Sequence, residues 1–424
     1  MAVPLSGLTT RGRCLLAAGG ALAVCSVALG QRDLLRASVF LLALPLASIL
    51  IVSRTRYRLA CSRVLEPPRV EAGRPATVRL HLENVSRLPS GVLLMEDNLP
   101  YVLGPRPRFV LDRVAPQAVR EISYPVRAEA RGRYRIGPLA VRLTDPFGLS
   151  ELTRSFAAVD HLVVTPAVTR LPRILLGGDW VGGGDATSRS LAVSGNDDAT
   201  TREYRHGDDL RKIHWRSTAR VGELMVRREE NPYQGRATLL LDGRAAAHRG
   251  DGPGSSFEWS VSATASIAVA LARAGYGLRL LNETGLDLVP SGVQVTEGAL
   301  LDILAGVATT RTEGVNLATE QLRRTGVDGV LVAVLGQLSA DDADRMSRLR
   351  QGASRCVAVL VETSAWAASS PRVRAAESAD YARAAVVLES GGWRVLRVTH
   401  GTTLASVWPL AGHLGERSHV EARR

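Results

Sequence analysis

The sequence predicts a membrane-anchored chain of several domains: a helical hairpin, a β-sandwich and a doubly wound α/β domain. Two long apolar runs open the chain, a stretch with period-two alternation follows, and apolar strands alternating with helical patterns fill the C-terminal part. The 424 residues exceed the roughly 250 to 300 at which a single core stops growing. The predicted segments are 1–55, 56–170, a connecting segment 171–235, and 236–424.

Composition argues against a nucleic-acid-binding patch, and the cysteines argue against a zinc site or a disulfide framework. The net charge is +12, but the basic residues are arginines apart from Lys212 and are scattered among acidic residues along the chain, so no nucleic-acid patch is predicted. The four cysteines form no CxxC pair and no Cys/His ligand spacing. The sequence therefore predicts no zinc site, no disulfide framework and no cofactor.

The apolar runs cover residues 14–30 and 34–53. The second has the length of about 20 residues that spans a bilayer, and the first is slightly shorter. The alternative is that the first run is a cleaved signal peptide, ending near Gln31. Basic residues flank the outer ends more than the turn, so the positive-inside rule places both ends in the cytoplasm. Either interpretation leaves everything after Ser53 cytoplasmic.

From about 56 to 167 the pattern is that of strands. Val78, Leu80 and Leu82 alternate with polar residues, and further strand-like runs cover 108–114, 118–130 and 138–145, separated by turns rich in proline and glycine. An antiparallel sandwich of immunoglobulin-like type is predicted. Asp145-Pro146-Phe147-Gly148 has the residue preferences of a type I turn.

After about residue 236 the pattern of apolar residues changes. Predicted strands at 237–242, 277–282, 329–336 and 356–362 alternate with helical stretches at 256–274, 296–307 and 340–350. Continuous apolar strands separated by helices indicate a parallel sheet covered on both faces. Ligands bind such sheets at the carboxyl ends of the strands, so Asp242, which ends the first strand, is the position to inspect.

A von Willebrand A domain carries Asp-x-Ser-x-Ser at that position, which suits a hard divalent cation. This chain has Asp242-Gly243-Arg244-Ala245-Ala246, so both hydroxyls are lost and Arg244 brings a positive charge to the place of the cation. The later strand end at Gly336 supplies no aspartate. We predict a degenerate site without a metal. The glycine-rich run 177–185 lacks the lysine of a phosphate loop and is predicted to be a flexible connection.

The stretch EYRHGDDLRKIHWRSTARVGELMVRREE, residues 203–230, concentrates charged side chains, two histidines and a tryptophan. Asp208 is predicted to cap a short helix that turns Leu210, Ile213 and Trp215 inward. Its basic and acidic residues nearly balance, which argues against a phosphate-binding stripe. Catalysis would require His214 or His206 with a partner, and no oxyanion loop accompanies them. A structural clasp, a protein-docking surface and a catalytic site remain open.

Two groups of residues resemble a known family. The first is Tyr204, Gly207, Asp208, Asp209, Arg211, Ile213, Trp215, Ala219 and Arg220, whose order resembles the signature of the bacterial family called domain of unknown function 58. The second is similar to the family's upstream sandwich segment and comprises Arg131, Gly132, Tyr134, Gly137, Pro138, Asp145, Pro146, Phe147 and Gly148. Many members carry an acid where His214 stands, so a catalytic role common to the family is harder to assign.

The resemblance implies a von Willebrand A-like domain and a chain encoded beside MoxR-type AAA+ ATPases and transglutaminase-like membrane proteins. The expected function is a membrane-anchored, non-enzymatic adaptor or assembly factor in envelope-related processes. The expected location is the bacterial plasma membrane, with two helices and cytoplasmic soluble domains. The alternative is a hydrolase or transferase using His214 with Asp208 or Asp209.

Overall fold

The structure is a computed structural model that describes residues 7–54, 59–87, 89–90, 92–112, 114–145, 147–174, 201–203, 215–227, 235–290, 292–293, 295–327, 329–350, 355–368 and 370–412. The chain divides into two compact units, which are described separately below. One comprises residues 1–167 with 301–307, and the other comprises 168–300 with 308–424.

The first unit opens with a pair of packed helices, α1 (Thr10–Leu29) and α2 (Arg32–Arg54). Thr9 caps α1 by accepting a hydrogen bond from the backbone N–H of Gly12 at 3.3 Å. Ser38 of α2 donates its hydroxyl to the carbonyl oxygen of Gly19 at 2.8 Å. This bond joins the two helices near the middle of α1. Mean hydropathy is 1.7 over Thr10–Leu29 and 1.8 over Arg32–Leu50, so both helices are long and apolar enough to cross a membrane.

Ten strands within the described residues follow the two helices in this unit. They are β1 (Leu59–Glu66), β2 (Arg69–Glu71), β3 (Pro75–Asn84), β4 (Leu93–Asp97), β5 (Arg108–Leu111), β6 (Val119–Arg127), β7 (Gly132–Ile136), β8 (Leu139–Thr144), β9 (Glu151–Phe156) and β10 (Asp160–Thr165). The sheets have the orders β1-β3-β6, β5-β4-β8-β9 and β2-β10-β7. All pairs are antiparallel except β10 with β2, which confirms the predicted antiparallel strands.

Alternation along the strands forms the core of this β domain. Val78, Leu80 and Leu82 of β3 are all 0% exposed, as their spacing predicts. They pack in one cluster with residues of β4, β6, β7, β8 and β10. The core also holds an ion pair, in which Arg63 lies 2.7 Å from Asp97, and Tyr124 donates to the same carboxylate at 2.5 Å. Buried charges of this kind need such partners.

The second unit contains an α/β domain. Its strands are β13 (Arg236–Leu241), β14 (Gly277–Asn282), β15 (Asp287–Val289), β16 (Val330–Leu335), β17 (Arg355–Val361) and β18 (Arg394–Val398). Its helices are α4 (Ser256–Arg273), α5 (Glu297–Ala305), α6 (Asn316–Thr325), α7 (Ala340–Ser347), α8 (Pro371–Ser390) and α9 (Leu404–Val407); part of α5 falls to the first unit. The sheet order is β15-β14-β13-β16-β17-β18, and only β15 is antiparallel to its neighbour.

Both faces of this sheet are covered. Leu240, Leu331 and Ala358 belong to a buried cluster that also contains residues of α6, α7 and α8. The alternate residues Leu239 and Val332 are also buried, and α4 packs against β13, β14 and β16. The strands therefore read as continuous apolar runs, as parallel strands between two helical layers require. The predicted parallel sheet is confirmed.

Among the described residues of the second unit, three short elements precede the sheet. They are β11 (Thr201–Glu203), α3 (Trp215–Val221) and β12 (Met225–Arg227), and β11 pairs with β12 in antiparallel fashion. Thr218 of α3 accepts a hydrogen bond from the backbone N–H of Met225 at 3.0 Å. This bond joins the middle of the short helix to the start of β12.

Candidate functional site

The candidate site lies where the strand order of the α/β sheet reverses direction. From β13 the chain continues to β14 on one side, whereas β16 lies on the other side. Asp242 directly follows β13, and its carboxylate accepts a hydrogen bond at 3.2 Å from the backbone N–H of Gly336, which directly follows β16. A Cβ atom at Gly336 would lie 2.3 Å from the carbonyl oxygen of Ala247, so only glycine fits there. Ligands of open α/β sheets bind at such switch points.

The position that a ligand would take holds the guanidinium of Arg244. Its Nε and Nη2 atoms each donate to the Asp242 carboxylate at 2.9 Å. Nη1 donates to Asp342 at 3.1 Å and to the carbonyl oxygen of Glu313 at 3.4 Å, and Nη2 also donates to the carbonyl oxygen of Gln337 at 3.0 Å. A guanidinium has five N–H donors, and all five have acceptors here.

The charged side chains of this site are buried and therefore need partners of opposite charge. The side chains of Arg244, Asp242 and Asp342 are 5%, 0% and 10% exposed. Burial by itself would lower the pKa of Arg244, but hydrogen bonds and charge from Asp242, followed by the charges of Asp342 and Glu283, raise it overall. The expectation that Arg244 brings its positive charge to Asp242 agrees with this geometry. The second carboxylate comes from the first turn of α7 and not from a strand end.

A third carboxylate, Glu283, follows β14 and is 1% exposed. It accepts hydrogen bonds from the backbone N–H of Gly243 at 2.9 Å and from the hydroxyl of Thr310 at 2.6 Å. Thr310 in turn pairs with the loop after β13, since its N–H donates to the carbonyl of Gly243 and its own carbonyl accepts from Ala245. These bonds fix the backbone that carries Arg244.

His248 contacts the same loop, which follows β13, through both of its ring nitrogens. One ring nitrogen lies 2.8 Å from the carbonyl oxygen of Asp242 and the other 3.2 Å from the hydroxyl of Ser256. Burial lowers the pKa of His248, which keeps the ring neutral at physiological pH. Ser256 is 0% exposed, so this Ser–His pair has no access to a substrate and acts as a structural support.

The outer rim of the site is more open. Arg249 forms an ion pair with Glu377 of α8 at 2.9 Å. Beyond it, the ring of Trp366 lies edge-on to Trp259 at 6.4 Å and to His400 at 4.9 Å between centroids. Trp366 is half-buried and His400 is exposed. These residues come from the loops after β13, β17 and β18 and from the first turn of α4, so they share the carboxyl edge of the sheet.

The chemistry available to this arrangement is limited. Within the part of the chain that the structure describes, no group of three or more His, Cys, Asp or Glu side chains has the geometry to hold a metal ion. The carboxylates of Asp242, Glu283 and Asp342 accept hydrogen bonds from Arg244 or from backbone N–H groups. The arrangement is therefore suited to fixing the shape of this edge of the sheet.

Most of the predicted signature motif lies outside the described residues: Tyr204, Gly207, Asp208, Asp209, Arg211, Ile213 and His214. The last three members, Trp215, Ala219 and Arg220, lie in α3 and are exposed. The prediction that Trp215 turns inward is wrong, because its side chain is 69% exposed. In an amphipathic turn as short as α3, the position of one aromatic residue does not determine which face is buried.

The sandwich motif is divided between two turns of the β domain. Gly132 and Tyr134 lie in β7 directly after Arg131, and Tyr134 donates its hydroxyl to the carbonyl of Ala130 at 2.8 Å. Gly137 and Pro138 link β7 to β8 through a cis peptide bond. The turn after β8 contains Asp145, Phe147 and Gly148, and the N–H of Gly148 donates to the carbonyl of Asp145. The predicted turn is therefore confirmed. Pro146 lies outside the described residues.

The fold and the site together define a class of protein. It has two apolar N-terminal helices, a β-sheet domain, and an α/β domain in which an arginine takes the central place at the strand switch point. Residues 200–373 match the family described as "Protein of unknown function DUF58". The chain therefore carries this family's segment, and the resemblance found in the sequence is confirmed.

Individual proteins are also similar to parts of this chain. The uncharacterized protein YeaD of Bacillus subtilis strain 168 is 26% identical over 289 residues, which span 66% of this chain and 71% of that protein. The CARDB domain of a Pyrococcus furiosus protein is 12% identical and covers 26% of this chain and 90% of its own, with a TM-score of 0.20. The putative ApaA protein of Bordetella pertussis, also 12% identical, covers 26% and 94% with a TM-score of 0.21.

Proposed function

We propose that this chain is a membrane-anchored, non-enzymatic adaptor or assembly factor that docks a MoxR-type AAA+ ATPase in envelope-related processes. In this proposal the α/β domain is von Willebrand A-like and the β domain is immunoglobulin-like. The two apolar helices anchor the chain in the bacterial plasma membrane, and the soluble parts lie in the cytoplasm.

The observation that carries the proposal is the state of Arg244. A guanidinium whose five donors are all used inside the protein cannot bind a substrate phosphate or carboxylate. The same group blocks approach of a divalent cation to Asp242, since both would place positive charge against one carboxylate. Among the residues that the structure describes, the side chains at the switch point are bonded to one another and to the backbone, which favours docking at this edge over catalysis there.

The rim supplies the surface for docking. Arg249, Trp366 and His400 converge there, and Asp251 is exposed beside them. Aromatic residues and arginine are enriched at the energetic centres of protein interfaces. We assign the partner to this rim, defined by Arg249, Asp251, Trp366 and His400.

Support for the ATPase as partner comes from the family resemblance, and a transglutaminase-like membrane protein is a second partner on the same ground. Support for the membrane comes from the mean hydropathy of α1 and α2. Support for a cytoplasmic location comes from the arginines at the outer ends of the two helices, which outnumber those at the turn. Arg11 and Arg13 lie in the first turn of α1, and further arginines stand at the end of α2 and after it.

The test is association of the intact chain in lipid nanodiscs with a purified MoxR-type AAA+ ATPase. We expect the ATPase to co-purify with loaded nanodiscs and not with empty ones, and its ATP turnover to change on binding. Absence of both effects would overturn the adaptor proposal.

A further inference from the structure

The turn after β8 is held by one carboxylate. Asp145 is 5% exposed and accepts hydrogen bonds from the backbone N–H groups of Phe147 at 3.1 Å, Leu149 at 2.7 Å and Ser150 at 2.6 Å. Burial by itself would raise the pKa of Asp145, but these bonds, together with one from Ser48, lower it overall. One carboxylate therefore holds the described residues of this turn, Asp145 and 147–150, which are here called the fastening loop.

The fastening loop contacts both N-terminal helices. The hydroxyl of Ser48 in α2 donates to the Asp145 carboxylate at 2.8 Å. At the start of α1, the hydroxyl of Thr9 donates to the carbonyl of Gly148 at 2.7 Å, and its N–H donates to the carbonyl of Leu149 at 3.0 Å. Gly12 permits the close approach, because a Cβ atom there would lie 2.3 Å from the carbonyl oxygen of Leu149.

These contacts fix the depth of the loop relative to the helices. From Gly12 to Gly30 at the hairpin turn, α1 rises by about 27 Å at 1.5 Å per residue. From Ser48 back to Arg32, α2 rises by about 24 Å on the same scale. The hydrocarbon core of a bilayer is about 30 Å thick. If the hairpin spans the bilayer, the fastening loop lies at the boundary between acyl chains and headgroups.

The side chains around the loop suit that boundary. Phe147 is 59% exposed although it is a large apolar residue. Arg11 and Arg13 are exposed on the first turn of α1, and the Arg11 guanidinium lies beside Gly148. An apolar ring next to arginines is the pattern by which interfacial segments bury their apolar side and bind anionic headgroups.

We propose that the fastening loop is a second membrane contact of this chain, in which Phe147 enters the headgroup and acyl boundary of a phospholipid bilayer beside the hairpin. Arg11 lies at the level of the lipid phosphates and pairs with them. Because the fastening loop is hydrogen-bonded to both helices, the β domain is held against the bilayer surface at a fixed height. This inference rests on the proposed anchoring of α1 and α2.

Photo-crosslinking in the intact chain tests it. We would place p-benzoylphenylalanine, one position at a time, at Phe147, at Val24 and at Tyr101, which are all exposed, and reconstitute each protein in vesicles of phosphatidylethanolamine and phosphatidylglycerol. Val24 lies on the apolar surface of α1 and is 70% exposed, so it reports on the hairpin alone. Lipid adducts are counted by mass spectrometry after irradiation.

Tyr101 is the matched control on the β domain. It is 91% exposed, and its segment is tied to the start of β8 by the bond from Gly137 N–H to the carbonyl of Asn98 at 2.8 Å. The fastening loop follows the other end of β8, a strand of six residues that spans about 20 Å.

We expect lipid adducts at positions 147 and 24, both several-fold above position 101. Adducts at position 24 with position 147 no higher than 101 would overturn the membrane contact while leaving the anchor intact. If position 24 also gives no adduct, the anchoring itself is wrong and the inference falls with it.

Discussion

Replacing Arg244 with alanine would leave two buried carboxylates without their cation. Asp242 and Asp342 are 0% and 10% exposed at their side chains, so water cannot replace the guanidinium without opening the site. Removing one partner of a buried ion pair costs about 3 to 5 kcal/mol. Since domains have a total free energy of unfolding of about 5 to 15 kcal/mol, we expect the Arg244→Ala variant to lose a large fraction of its stability.

The assay is urea unfolding of the full-length chain in detergent micelles, followed by tryptophan fluorescence. All six tryptophans lie at position 180 or later, so the signal reports on the second unit and not on the β domain. Trp393 and Trp408 are 3% and 1% exposed and become solvated on unfolding. We expect the urea midpoint of the Arg244→Ala variant to fall, because the two carboxylates stay buried without their cation.

Arg244→Lys provides the internal comparison. Lysine keeps the charge but offers three donors from one nitrogen and cannot reach both carboxylates with the planar fork of arginine. Its midpoint should therefore fall between those of the wild type and the alanine variant. An alanine variant as stable as the wild type would refute the reasoning, because the guanidinium would then contribute nothing to the buried site.

Two further predictions concern the same site. Burial lowers the folded-state pKa of His248, so its neutral form contributes stability above its unfolded pKa of about 6.5. That contribution is lost as pH falls below this value. We therefore expect the urea midpoint to change less between pH 7.5 and 5 in the His248→Asn variant than in the wild type. An equal change of the midpoint in both proteins would contradict this role of His248. The wild type should not bind Mn²⁺ at Asp242, as read from the electron paramagnetic resonance signal of the free ion, whereas Arg244→Ser should bind one equivalent. Binding by the wild type that Asp242→Asn abolishes would contradict this.

Much of the fold can be predicted from local pattern. Period-two alternation located β3 because Val78, Leu80 and Leu82 face one core, and continuous apolar runs located β13, β16 and β17. The helices α6 and α8 were not predicted. In α8, charged residues and alanines are mixed around the helix, so no apolar stripe marks it, although Ser370 before Pro371 is a usable start signal.

The site was predicted only in part. Asp242 and Arg244 follow directly from the end of the first strand, because strand ends meet at one edge of a parallel sheet. Asp342, Glu283 and His248 could not be assigned, since each is one polar residue in a loop or helix and its inward direction depends on tertiary packing. The capping pattern of Ser339 with Asp342 marks the start of α7, but not the carboxylate's contact with Arg244.

The measurement that tests the central claim most directly is the dissociation constant between the nanodisc-held chain and the MoxR-type ATPase. His400→Ala removes an exposed ring from the rim, whereas Val386→Ala removes a 60% exposed side chain from α8 near the opposite end of the sheet. We predict that the His400 variant binds several-fold more weakly and that the Val386 variant binds like the wild type. Equal binding by all three proteins would contradict docking at the carboxyl edge.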